Sequence, residues 1–161
     1  MPILCYAAER RVATLGRSDL VFWDLGAGVG KVLITAALSK KFSKIYGVEL
    51  LDGLHEAAKQ VCANFEKAIE EEKWTNESKL EMIHGNMLEI DWSNADVVYA
   101  SSICFPKELI DGVIHKANLL KKGTIIASLR EIDNENFKLL YTFRVKMTWG
   151  TCDVHILEKT N

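Results

Sequence analysis

The run Asp24-Leu25-Gly26-Ala27-Gly28-Val29-Gly30 carries the strongest chemical signal in this chain. Glycines at alternate positions let the backbone adopt positive φ and approach a ligand without a Cβ in the way. An apolar segment, Leu20-Val21-Phe22-Trp23-Asp24-Leu25, precedes the glycines, and residues at helical spacing follow them. That context places the run at a strand-to-helix turn, on the sheet edge where open α/β folds bind ligands. Glu49 ends the next apolar segment, 19 positions beyond Gly30. A carboxylate there can accept two hydrogen bonds from ribose hydroxyls, so the pattern points to a ligand bearing a nucleoside. The competing reading is a set of glycines that only makes a tight turn.

Two familiar nucleotide motifs do not fit. A dinucleotide fingerprint needs a third glycine where Lys31 stands, and a P-loop needs Ser or Thr after Gly-Lys, where Val32 stands. Metal chemistry has little support. The four cysteines (Cys5, Cys62, Cys104, Cys152) and four histidines (His55, His84, His115, His155) are scattered, with no Cys-x-x-Cys and no His-x-x-x-His. The thiols read as reduced residues that pack as small hydrophobes.

These residues need a scaffold, and 161 residues suffice for one domain with its own core. Hydrophobic residues make up 48% and charged residues 26%, which excludes a disordered chain. A net charge of −2 at pH 7 gives no support for direct nucleic-acid binding. No apolar run reaches the roughly 18–20 residues of a membrane span. Met1-Pro2-Ile3-Leu4-Cys5 lacks a basic flank before an apolar stretch, so the setting reads as intracellular, cytoplasmic or nuclear.

The order of elements follows from hydrophobic period. Strands are expected at Leu20–Leu25, Ile45–Val48, Leu80–His84, Val97–Ala100 and Thr124–Leu129. Val29, Val32, Leu33, Ala36 and Ala37 mark one helix. A second starts at Asp52, read as its N-cap, and runs through Leu54, Ala58, Val61, Phe65 and Ile69. A third follows Pro106 and carries Leu109, Ile110, Val113, Ile114, Ala117 and Leu120 up to Gly123. Tyr141, Phe143, Val145 and Met147, then Cys152, Val154 and Ile156, alternate with polar residues around Trp149-Gly150, which predicts an antiparallel hairpin. The expected fold is α/β, a Rossmann-like doubly wound sheet, mostly parallel and ending in an antiparallel β-hairpin. Residues 1–161 read as one domain, with 1–19 a short helical lead-in and 20–161 the core.

The Asp-x-Gly-x-Gly-x-Gly arrangement resembles motif I of class I S-adenosylmethionine-dependent methyltransferases, and the likeness extends through the terminal hairpin. Within that superfamily, Phe22 to Val32 is similar to the disruptor-of-telomeric-silencing (Dot-one-like) histone lysine methyltransferases, which lack a SET domain. Val98-Tyr99-Ala100-Ser101-Ser102-Ile103-Cys104-Phe105, the following helix and Trp149-Gly150 continue the match. The resemblance implies S-adenosyl-L-methionine as cofactor, with Gly26, Ala27 and Gly28 facing its methionine part, Gly30 also in the cofactor-binding loop, Asp24 near its amino group and Glu49 on the ribose. It also implies that Gly85-Asn86-Met87-Leu88 meets the adenine, with Asn86 on the exocyclic amine. The family has an Asn-Asn pair where this chain has Ser101-Ser102, a longer helical region before motif I, and a basic tail that is absent here.

Methyl transfer from a sulfonium asks mainly for positioning, because the leaving group is neutral and good. A lysine acceptor must also lose a proton, from a free pKa of about 10.4, and desolvation favours that loss. The resemblance implies a protein substrate, a histone or another protein. Ser101 and Ser102, at the carboxyl end of the fourth strand, are the residues expected to orient the amine; a serine helix cap is the alternative. Phe105, Trp149 and Tyr141 are candidate channel walls. Glu49→Ala is expected to weaken cofactor binding while leaving the free fold almost as stable. Two further function classes stay open: a cofactor-binding module that needs a partner for activity, and a nucleotide-dependent oxidoreductase.

Overall fold

The computed structural model describes residues 2–147 and 150–161. Helix α1 (Pro2–Leu15) leads into strand β1 (Leu20–Leu25), then α2 (Lys31–Leu38), β2 (Phe42–Glu49), α3 (Asp52–Glu71), β3 (Lys79–His84) and β4 (Val97–Ala100). A 3-10 turn (Ser102–Cys104), α4 (Lys107–Ala117), β5 (Ile125–Ser128), β6 (Phe137–Met147) and β7 (Gly150–Lys159) complete the chain. The seven strands form one sheet in the order β3-β2-β1-β4-β5-β7-β6. The first five strands pair in parallel, and β7 pairs antiparallel with both β5 and β6. The chain winds outward from β1 to β3, then returns to place β4 on the other side of β1. That reversal puts the ligand crevice of such sheets between β1 and β4.

Alternation along the strands sends side chains to two cores. Phe22, Ile45, Val97, Tyr99 and Ala127 pack with Leu4, Ala7 and Ala8 of α1 and Leu33, Ala36 and Ala37 of α2. Trp23, Leu25, Val48, Val98 and Ile126 pack on the opposite face with Val113 and Ala117 of α4 and with Trp92. Both faces are covered, as near-continuous apolar strands require. At its carboxyl end α1 is fixed by charge. Buried Arg11 donates to Asp96 at 3.3 Å and to the Lys122 carbonyl at 3.1 Å, and Arg17 reaches the same carboxylate at 3.0 Å.

Several boundaries differ from expectation. β2 starts three residues early, at Phe42, because Phe42 pairs with Leu20 and its ring lies 5.0 Å from that of Phe22. Asp52 is not the cap of α3. Leu51 holds that position, and the Asp52 carboxylate instead lies 3.1 Å from His84 Nε2. α4 ends at Ala117, where the bonds Leu119 N–H to Lys116 O and Leu120 N–H to Ala117 O tighten the chain, although Leu120 remains buried. β6 begins at Phe137 rather than near Tyr141. A register shift between Leu139 and Tyr141 interrupts the alternation and hides the strand's first residues from a period-two reading. The Trp149 of the expected hairpin turn lies outside the described residues.

Candidate functional site

The glycine loop is folded onto the end of β2 by backbone bonds. The amides of Gly26 and Ala27 both donate to the Val48 carbonyl at 2.9 Å, and the Gly30 amide donates to Ala27 O at 2.9 Å. Gly26, Gly28 and Gly30 all have positive φ, at 77°, 55° and 78°. Their surroundings differ. A Cβ on Gly26 would stand 3.1 Å from the Phe105 ring and 3.6 Å from Met87 Cε, whereas one on Gly28 would enter open space. Gly30 abuts Ala58 of α3. Gly47 was missed by motif reading, yet it lets the loop settle. A Cβ there would lie 2.9 Å from both Ala27 Cβ and Leu33 Cδ1. A glycine inside an otherwise apolar strand is the signal of such a close approach.

Glu49 holds the loop from below. Its Oε2 accepts the Gly28 amide at 2.8 Å and its Oε1 accepts the Leu51 amide at 2.9 Å. Each carboxylate oxygen keeps a second lone pair. Asp24, one strand away, is placed very differently. It is 1% exposed, and neither oxygen has a hydrogen-bond partner among the described residues. Burial, and secondarily the Glu49 charge, push its pKa up to about 8. A buried carboxyl with no partner is costly unless something completes it, and a cationic group from a ligand would do so.

The carboxyl ends of β3 and β4 close the other side. Asn86 Oδ1 accepts the Leu88 amide at 3.0 Å and its Nδ2 donates to Glu89 at 3.2 Å, so its carboxamide caps a turn. Met87 is buried, and its carbonyl accepts Trp92 Nε1 at 2.9 Å. Ser101 and Ser102 do not face one site. Ser101 is exposed, directly after the end of β4. Tyr99 is the register partner of Asp24; burial first, and then the Asp24 charge, push its phenol up to about 12. Ser102 is buried on the other side, with its hydroxyl 3.0 Å from that of Ser128. Neither serine makes a side-chain cap, and Pro106 occupies the N-cap of α4. Of the expected channel walls, Phe105 lies against Gly26. Tyr141 sits on β6, the outermost strand, with its ring 4.6 Å from Phe143 and 6.0 Å from Tyr6.

No group of three or more His, Cys, Asp or Glu side chains suited to a metal ion occurs among the described residues. No helix among them is long and apolar enough to cross a membrane.

Comparison with solved structures bears out the fold. An RNA methyltransferase from Salinibacter ruber, in complex with S-adenosyl-L-homocysteine, superposes with a TM-score of 0.65 at 19% identity, covering 97% of this chain and 92% of that one. The magnesium protoporphyrin IX methyltransferase of Synechocystis PCC 6803 with bound SAM gives 0.65 at 16% identity, over 99% and 79%. The B. subtilis M1A22 tRNA methyltransferase TrmK gives 0.68 at 17% identity, over 98% and 65%. The chain has the Rossmann-like fold of these methyltransferases.

Its family is narrower. The model for the histone methylation protein DOT1 matches residues 12–159, and the chain belongs to that family. A protein-lysine N-methyltransferase of Saccharolobus islandicus (strain REY15A) is 32% identical over 117 residues, 73% of this chain. That match spans 65% of the relative's own length.

Proposed function

We propose that this chain transfers a methyl group from S-adenosyl-L-methionine to the side-chain amine of a protein lysine. The observation that carries the cofactor assignment is Asp24: a buried carboxyl without a partner, beside a glycine loop at the switch point of the sheet. The cofactor's ammonium group supplies the missing charge. Backbone around Gly26, Ala27, Gly28 and Gly30 would hold the methionine part, the remaining lone pairs of Glu49 the ribose hydroxyls, and Asn86 and Met87 the adenine side. When bound, the cofactor offers a methyl on a sulfonium and leaves as a neutral thioether.

The protein's remaining work is to bring the nucleophile into line and keep it unprotonated. Ser101 is the exposed hydroxyl at the end of β4, and in this reading it orients the incoming amine. Ser102 supports it from within. Family membership and the lysine methyltransferase relative favour an amine on a protein over other acceptors. The test is transfer of labelled methyl from S-adenosylmethionine to core histones, a total protein extract and total RNA. Label recovered as methyl-lysine supports the reading. Label confined to RNA, or none in a protein that binds the cofactor, overturns it.

A further inference from the structure

The carboxyl ends of β4 and β5 are joined by a cluster with no direct part in the proposed reaction. The buried hydroxyls of Ser102 and Ser128 meet at 3.0 Å, and the Arg130 amide donates to both, at 3.1 Å and 3.2 Å. The Arg130 side chain then folds back, and its Nη2 donates to the Ile103 carbonyl at 3.0 Å. The segment 101–105 is thereby tied to β5 through a hydroxyl pair at one point and a guanidinium at another. Its own backbone contributes little, since the turn is closed by the Phe105 amide on Ser102 O at 3.1 Å. Short segments with few internal bonds open at low free-energy cost unless tethered.

What this segment displays matters. Ser101 stands at its start, and the Phe105 ring at its end packs within 3.1–3.3 Å of the Cβ position of Gly26. We infer that Arg130 and Ser128 are positioning residues for methyl transfer, fixing the turn that presents Ser101 and Phe105 beside the glycine loop. The inference rests on the methyl-transfer reading above. It assigns the two residues no contact with cofactor or substrate.

The test compares wild type with Arg130→Ala, Arg130→Lys and Ser128→Ala in the full chain. Three quantities are read: S-adenosylhomocysteine affinity by calorimetry, amide exchange over 101–105, and methyl transfer to core histones per folded molecule. Arg130→Ala and Ser128→Ala should speed exchange at 101–105 about tenfold and leave residues 24–30 unchanged. They should lower kcat by about ten- to a hundredfold, as misplacement of a reacting group does, with cofactor affinity held within about twofold. Arg130→Lys, which keeps a donor within reach of Ile103 O, should recover most of the rate. Unchanged exchange, or unchanged kcat per folded molecule, overturns the inference. A wild-type protein that binds the cofactor but labels no acceptor refutes the methyl-transfer reading instead, and the exchange result still upholds or overturns the tether.

Discussion

Glu49 accepts the Gly28 amide at 2.8 Å, so the residue expected to hold a ribose already holds the glycine loop. Its second oxygen takes the Leu51 amide, which leads into α3. The expectation that Glu49→Ala would leave the free fold almost untouched therefore changes. Two charge-assisted bonds to a 7% exposed carboxylate are lost, each worth about 1.5–3 kcal/mol. Denaturant melts should show a loss of that order, together with weakened cofactor binding. Glu49→Gln, which keeps one acceptor, should fall between the two.

Asp24 makes the protein sensitive to pH. Its folded pKa of about 8 lies above the ordinary aspartate value of 3.8, so the folded state binds an extra proton between those values. Stability of the cofactor-free protein from this group is full below about pH 4 and is lost as pH rises through about 8. A cationic ligand group favours the ionised carboxyl. Cofactor binding near pH 7 should accordingly release a proton, seen as a buffer-dependent heat in calorimetry, and affinity should rise toward pH 8. Asp24→Asn should abolish the proton release, weaken binding, and raise the melting temperature of the free protein at alkaline pH.

Two glycines separate binding from folding. Gly28→Ala places a methyl in open space but at a φ of 55°, a left-handed conformation costing about 1–2 kcal/mol. The expected outcome is a folded protein whose cofactor affinity falls sharply. Gly47→Ala has no such φ. Its methyl collides with Met82 Sδ at 2.6 Å and with Ala27 and Leu33 at 2.9 Å, and overpacking of this kind costs about 1–3 kcal/mol. Melting curves and calorimetry on both variants distinguish the two effects.

At Ser102 the outcome is expected to be led by packing. Ser102→Ala leaves Ser128 and the Arg130 amide without one partner, a cost of about 1 kcal/mol, with cofactor affinity unchanged. Ser102→Asn would restore the residue type of the resembling family. The adjoining cavity is apolar and only about 20 Å3, so a carboxamide should destabilise rather than improve the enzyme. Denaturant melts alongside turnover check both.

Much of this molecule was legible in its residues because hydrophobic period and glycine placement are local signals. The turn after Leu25, the acid at Glu49 and all five parallel strands follow from them. The tasks of individual side chains are not local. Nothing near Arg130 announces that its amide would serve two serines from different strand ends. One divergence was readable in principle. Adjacent residues at the end of a strand point to opposite faces, so Ser101 and Ser102 had little chance of lining one surface together. The start of β6 stayed hidden for a different reason, since the irregularity near Leu140 breaks the alternation by which strands are recognised.

The tie between Arg11 and Asp96 also has a consequence in time. The two residues are 85 positions apart, and the Arg10–Glu158 pair spans 148. Helix α1 leaves the ribosome ahead of the sheet it covers, and the acid that neutralises its buried guanidinium is made much later. At about 5–20 residues per second, α1 waits several seconds for Asp96 and longer for the β5 surface it covers. During that interval its apolar residues Leu4, Ala7 and Ala8 lack the β4–β5 surface against which α1 packs. Nascent chains halted before Asp96 should therefore engage chaperones through α1, and release from them should coincide with synthesis of the β4–β5 unit.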